Sequence, residues 1–237
     1  MISKLSLVVA SVASSVGVST YIMRRCLPAP AVLLLGQTSV VGICVAIASS
    51  GRFSAQTTKL LGKMASGKFY WWSYPLFWPY HSGLTLKLWV QRKFSSEASF
   101  NQVAKSWYIG GWPQTEQDIP CGDVAVIDCT CELLRRHNRP YLCLPTWDCQ
   151  GPAPSLIDEG VNWAIQQKSC GREVLVHCAH GHGRSCVVLC AILISQGLAD
   201  TIDDALTIVR STRERAKLNA NQRRALVEWQ NRISKKL

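Results

Sequence analysis

Nine consecutive residues carry the densest chemistry in the chain: His177, Cys178, Ala179, His180, Gly181, His182, Gly183, Arg184 and Ser185. Five residues separate Cys178 from Arg184, and Gly181 and Gly183 stand where such a short loop must turn tightly. A loop of this kind can aim successive backbone N–H groups into one concavity and cradle a tetrahedral anion. The apolar run after Ser185 reads as a buried helix whose positive N-terminal end faces the same concavity. Those surroundings favour a thiolate at Cys178, because a free thiol with a pKa of roughly 8.5 falls to about 3.5–7.5 beside amides, cations and helix N-termini. Arg184 offers a planar fork for two phosphoryl oxygens. Ser185 can donate its hydroxyl to the sulfur, and His177 is placed to order the loop backbone.

Two plainer readings fit less well. His177, Cys178, His180 and His182 fall within six residues, too crowded to surround one tetrahedral ion, so no metal and no cofactor are expected. An inert buried thiol would leave the Gly-x-Gly-Arg-Ser turn without a purpose.

The run His177-Cys178-x5-Arg184-Ser185 resembles the signature of the cysteine-dependent protein tyrosine phosphatase superfamily, and the short domain around it is most similar to the dual-specificity branch. The resemblance implies a phosphate loop made of Ala179, His180, Gly181, His182, Gly183 and Arg184, and a cysteinyl-phosphate intermediate on Cys178. A thiolate attacking phosphorus must expel an alkoxide or phenoxide, which needs a proton. Asp148, in a loop that follows a short apolar strand, is the candidate acid, and the resemblance places the family's acid at the same distance and of the same type. As a plainer reading, Asp148 is a turn aspartate before Gly-Pro. Asp128, at a strand end beside Cys129, is the second candidate and is better suited to ordering the sheet. Asn219, Asn221 and Gln222 occupy the region where the family places a polar residue near the site, and they also suit the cap of the last helix.

The elements that must position these residues come from pattern. Residues 106–113, 123–129, 141–145 and 174–177 read as strands, short and apolar as parallel buried strands are. Ser155 is expected to cap a helix running to about Lys168 with Asp158 and Glu159 in its first turn. Thr201 and Asp204 suggest a capping box for a helix ending near Arg210, and Leu226, Trp229 and Ile233 give a last helix one apolar face. Strands alternating with helices predict an α/β domain, a mainly parallel central sheet flanked by helices, with the Cys178 loop at a strand's carboxyl end, where such sheets bind ligands.

Charge divides the 237 residues. Residues 1–96 contain ten Lys or Arg and no Asp or Glu, whereas residues 97–237 hold sixteen basic and fifteen acidic residues. The excess therefore lies outside the α/β domain, which argues for a membrane rather than nucleic acid as partner. Residues 5–23 and 28–51 are uncharged stretches of membrane-crossing length, with Arg24 and Arg25 in a tight turn between them. The first stretch, with six Ser or Thr, also fits a signal or organellar targeting sequence, and both stretches could be core helices of a soluble fold. Lys4, Arg52, Lys59, Lys63 and Lys68 outnumber the two turn arginines, which puts both ends and the catalytic domain on the cytosolic side; an organellar membrane after targeting is the alternative. Residues 69–90, rich in Trp and Tyr and broken by prolines, read as an interfacial segment, or as an aromatic core under a long loop. The expected organisation is two hydrophobic helices in residues 1–52, a basic aromatic segment and linker in residues 53–99, and the catalytic domain in residues 100–237.

Eleven cysteines without regular spacing do not form a disulfide framework. Cys129, Cys131, Cys143 and Cys149 include a candidate redox partner for Cys178, although buried cysteines are ordinary core residues. The function expected is a membrane-anchored dual-specificity-type phosphatase acting on phosphotyrosine or phosphoserine/threonine proteins. A lipid-phosphate phosphatase acting on a phosphoinositide or phosphatidylglycerophosphate is the first alternative. A catalytically silent phosphate-binding scaffold is the second.

Overall fold

The computed structural model describes residues 4–234; residues 1–3 and 235–237, the ends of the first and last segments delimited above, lie outside the described residues. The chain forms two compact units, one of Met1–Lys63 and Phe69–Ser95, the other of Met64–Lys68 and Ser96–Leu237.

The first unit is a helical hairpin with a third helix. α1 (Lys4–Met23) and α2 (Ala29–Ala48) are both long and apolar enough to cross a membrane, and less than a third of each apolar window is buried. Small residues let the two backbones approach closely, as in packed membrane helices. A Cβ on Gly42 would stand 2.6 Å from that of Ala13, and the Ser39 hydroxyl donates to the Ala13 carbonyl at 2.8 Å. α3 (Ser73–Lys93) takes up most of the aromatic segment that follows. Pro75 sits in its first turn, where no N–H is needed. Pro79 lies inside the helix, with non-helical backbone at Phe77. Pro79 cannot donate to the Pro75 carbonyl, and Gln37 Nε2 of α2 supplies that bond instead at 2.8 Å. Trp71, Trp78, Leu86 and Trp89 are exposed.

The second unit holds a five-stranded sheet in the order β1-β2-β5-β3-β4, formed by β1 (Phe100–Ala104), β2 (Trp107–Gly110), β3 (Val124–Asp128), β4 (Tyr141–Cys143) and β5 (Glu173–His177). β1 and β2 are antiparallel, and the other pairs are parallel. β1 is partly buried with no alternation, so it left no strand pattern to read, whereas β3 is buried throughout. α4 (Pro154–Ser169), α5 (Arg184–Ser195), α6 (Ile202–Thr212) and α7 (Ala220–Ser234) join one core with Ile109, Ile127, Val174 and Val176. The opposite face is closed by Ile119 against Val124, Val126 and Leu175.

Helix starts differ from expectation in one case. Ala153 is the N-cap of α4, with Pro154 opening the helix and no side-chain cap. Ser155 therefore lies inside the first turn and caps nothing, and Asp158 and Glu159 fall beyond it. Asp158 instead accepts from Trp229 Nε1 at 2.7 Å, tying α4 to α7. Thr201 and Asp204 do form the reciprocal capping box, but the helix runs past Arg210 to Thr212.

Candidate active site

β5 delivers Cys178 at its carboxyl end and α5 begins at Arg184, so the intervening loop turns directly onto the helix N-terminus. Every residue of α5 from Arg184 to Leu193 is buried, which fixes that end within the core. Gly181 has a φ of +76°, and a Cβ there would meet the Gly110 backbone at 2.6 Å, so only glycine fits.

Cys178 is buried, with the Gly181 amide donating to Sγ at 3.2 Å and the Ser185 hydroxyl at 3.4 Å. Burial alone would raise its pKa. The Arg184 charge, the two Ser185 bonds and the His180 amide outweigh that cost and hold the thiol below its ordinary value. His177 Nδ1 lies 3.3 Å from the Cys178 carbonyl.

Arg184 is 1% exposed. Its Nη1 donates to the Thr146 carbonyl at 2.8 Å and to Glu132 Oε2 at 3.0 Å, while Nη2 lies 2.8 Å from Glu132 Oε1. Burial lowers the pKa of such a group, yet the charges of Glu132, Asp148 and Cys178 leave it well above the ordinary arginine value. Glu132 thus aligns the fork from behind. Sequence reasoning missed it, since it lies 52 residues before Arg184 in a loop of unremarkable charge. Nε and Nη2 of Arg184 are buried without a hydrogen bond of good geometry, an edge suited to phosphoryl oxygens.

Asp148 Oδ1 is 3.3 Å from Arg184 Nη2, and the Asp148 side chain is 44% exposed. The structure therefore brings Cys178, Arg184, Ser185 and Asp148 together, with Asp148 at the open side. Asp128 is elsewhere: it accepts from the Thr130 amide and hydroxyl and from the Tyr141 hydroxyl, so it orders the end of β3. The remaining polar candidates join the acid loop to α7. Asn219 Nδ2 donates to the Cys149 carbonyl at 3.0 Å, and Asn221 Nδ2 to Gln150 Oε1 at 3.3 Å. Asn219 also caps α7 through a reciprocal pair with Gln222. The Gln222 amide packs against the phosphate loop, within 2.5 Å of where a Gly183 Cβ would stand.

Residues 116–232 match the family described as dual specificity phosphatase, catalytic domain. The match lies within the second unit, which is similar to catalytic domains of the dual-specificity type in the cysteine-dependent protein tyrosine phosphatase superfamily. Two curated Arabidopsis thaliana relatives match. The phosphatidylglycerophosphate phosphatase PTPMT1 is 34% identical over 155 residues, 59% of this chain and 45% of the relative. The phosphatidylglycerophosphate phosphatase PTPMT2 is 34% identical over 100 residues, 41% of this chain and 42% of the relative. The matches thus span less than half the length of either relative. Among solved structures, PTPMT1 in complex with PI(5)P superposes with a TM-score of 0.51 at 18% identity, covering 58% of this chain and 98% of that one. A human DUSP28 variant gives a TM-score of 0.52 at 19% identity, over 60% and 100%. At these identities the structural likeness concerns the fold.

The two histidine side chains of the loop meet partners within the domain. His182 Nε2 lies 2.7 Å from Glu97, and the His180 ring stacks on His182 at 5.8 Å. Arg213, 3% exposed, donates to the carbonyls of both His180 and Gly181. Neither Glu97 nor Arg213 was marked by any motif. A buried arginine beside a loop of exposed carbonyls is visible only once the fold is known.

Proposed function

We propose that the protein is a cysteine-dependent phosphatase that hydrolyses the phosphomonoester of a membrane phospholipid, with a phosphatidylglycerophosphate-like headgroup as its substrate. Cys178 attacks phosphorus in line, forming the S–P bond as the P–O bond to the leaving group breaks. Arg184 and the loop amides from Ala179 to Gly183 hold the equatorial oxygens, and Asp148 gives its proton to the leaving oxygen. Water then attacks the cysteinyl-phosphate, Asp148 takes its proton, the S–P bond breaks, and Ser185 stabilises the returning thiolate.

The observation that carries the lipid reading is the pairing, on one chain, of this complete loop with two helices of membrane-crossing length, less than a third of whose apolar windows is buried. Both curated relatives are named for a phospholipid phosphatase activity, which supports it. The lack of acidic residues before Glu97 suits an anionic lipid surface and, by the charge comparison, supports a catalytic domain on the cytosolic side of that membrane or of an organelle's.

The test is phosphate release by the full chain, reconstituted in vesicles, from phosphatidylglycerophosphate and PI(5)P, set against phosphotyrosine and phosphothreonine peptides. The expected result is a kcat/KM on one of the lipids at least about 10²-fold above any peptide, a difference of about 2.7 kcal/mol in transition-state binding. Preference for a peptide would replace the lipid reading with protein dephosphorylation, and a Cys178-independent signal would remove both.

A further inference from the structure

A peptide group is planar and trans, so its C=O and N–H point in opposite directions. In a loop that binds an anion through amides, whatever holds the carbonyls on the outside therefore sets the amides on the inside. The carbonyls of residues 179–182 are all held by outside donors. Trp112 N–H reaches Ala179 O at 3.2 Å and Lys217 N–H reaches His182 O at 2.9 Å. Between them, Arg213 Nη2 donates to His180 O at 2.7 Å and Arg213 Nε to Gly181 O at 3.1 Å. The amides of His180, Gly181, His182 and Gly183 consequently face the concavity, and the Gly181 amide meets Cys178 Sγ.

Two of these four carbonyls depend on one side chain, and that side chain is itself held. Arg213 Nη1 donates to Ala98 O at 3.1 Å and to Asn101 Oδ1 at 2.6 Å, and Nε lies 3.6 Å from Glu97 Oε1. Glu97 Oε2 faces His182 Nε2 at 2.7 Å, so one carboxylate touches both Arg213 and the loop. Glu97, Ala98 and Asn101 are among the first residues of the catalytic unit, where the chain arrives from the helical unit.

We propose that Arg213 and Glu97 are positioning residues for the phosphoryl transfer, holding the opening segment of the domain against the outer face of the phosphate loop and thereby aiming its amides at the substrate dianion. Neither residue touches substrate. The role is independent of which phosphomonoester is the natural substrate, so it is read on a soluble aryl phosphate.

The experiment compares the full chain in detergent with Arg213→Met, Arg213→Lys and Glu97→Gln, measuring kcat, vanadate inhibition, the pH midpoint of Cys178 alkylation by iodoacetamide, and thermal unfolding. Loss of a preorganised oxyanion donor costs about 10²–10³ in kcat. Arg213→Met is accordingly expected to lower kcat about 10²-fold, weaken vanadate in parallel and move the alkylation midpoint upward. Arg213→Lys, a point charge that cannot span both carbonyls, should recover part of each. Glu97→Gln should shift all three in the same direction by about 3–10-fold in kcat, since Gln keeps an acceptor for His182 and gives up only its charge beside Arg213. If Arg213→Met does not fold, the Lys and Gln variants carry the test. Folded variants with the wild-type vanadate affinity and alkylation midpoint would overturn the proposal, because a residue that only stabilised the domain would move the melting temperature and leave those two readings alone.

Discussion

The phosphate loop and the acid loop each turn through a residue with left-handed backbone, Gly181 at a φ of +76° and Cys149 at +63°, yet they are held in different ways. The phosphate loop lies between a buried strand and a buried helix, with its carbonyls tied outside and its nucleophile and arginine shut from solvent. The acid loop hangs from β4, is tied by side-chain amides of α7, and leaves its carboxyl group 44% exposed. The difference suits the two tasks proposed for them. Stabilising a dianion needs fixed dipoles that cost no reorganisation at the moment of reaction. An acid that becomes a base between two half-reactions must meet first the leaving group and then water, which requires access to the open side.

The comparison can be broken most severely at the nucleophile. Cys178→Ser is expected to abolish phosphate release while vanadate still binds, because the amides and Arg184 remain in place; isothermal titration with vanadate beside a turnover assay checks both. Next is the acid loop. Asp148→Asn should lower kcat about 10²–10⁴-fold on an alkyl phosphate and far less on a nitrophenyl phosphate, whose leaving group needs no proton. Equal losses on both would mean that Asp148 serves only its contact with Arg184.

The buried arginine offers a sharper contrast, since Glu132 and Asp148 both face it from opposite surroundings. Glu132→Gln leaves a buried guanidinium with one carboxylate fewer. Removing one partner of a buried pair typically costs about 3–5 kcal/mol, so chemical denaturation should show a loss in that range. Asp148→Asn, at an exposed carboxyl, should scarcely change stability. The thiol gives the next smaller effect. Because its folded pKa is depressed, alkylation of Cys178 should rise with pH around a midpoint below the ordinary thiol value of about 8.5. Ser185→Ala should move that midpoint up. By linkage the same shift adds to stability above the unfolded thiol pKa, and that contribution is lost as pH falls through the folded value.

Legibility in the sequence tracked how local each feature is. Cys178, Arg184 and Ser185 were readable because a nine-residue run holds nucleophile, turn and helix start together, and Asp148 because the reaction demands an acid after a neighbouring strand. The buried strands β3 and β5 announced themselves as apolar runs. β1 did not, being an edge strand with intermediate burial, and α3 was hidden by prolines that a kink accommodates. Glu132, Glu97 and Arg213 were invisible for a common reason. Each acts on a residue at least 32 positions away, and a charged residue in a loop looks the same whether it meets water or a buried partner. The side-chain partner of His182 was not legible, since Glu97 lies 85 residues earlier.

The smallest effect separates the two turns themselves. At Gly181 the space for a Cβ is filled by the backbone of Gly110, so Gly181→Ala must shift either strand β2 or the loop. At Cys149 the left-handed backbone already carries a side chain, at a cost of roughly 1–2 kcal/mol for an L-residue. Glycine there removes that strain but loses more freedom on folding, by about 0.5–1 kcal/mol. Cys149→Gly is therefore expected to raise stability by about 1 kcal/mol or less, read from the denaturation midpoint, with kcat on a nitrophenyl phosphate unchanged. A fall in kcat on alkyl phosphates alone would show that the strained turn aims Asp148, and would make the acid loop as preorganised as the phosphate loop it faces.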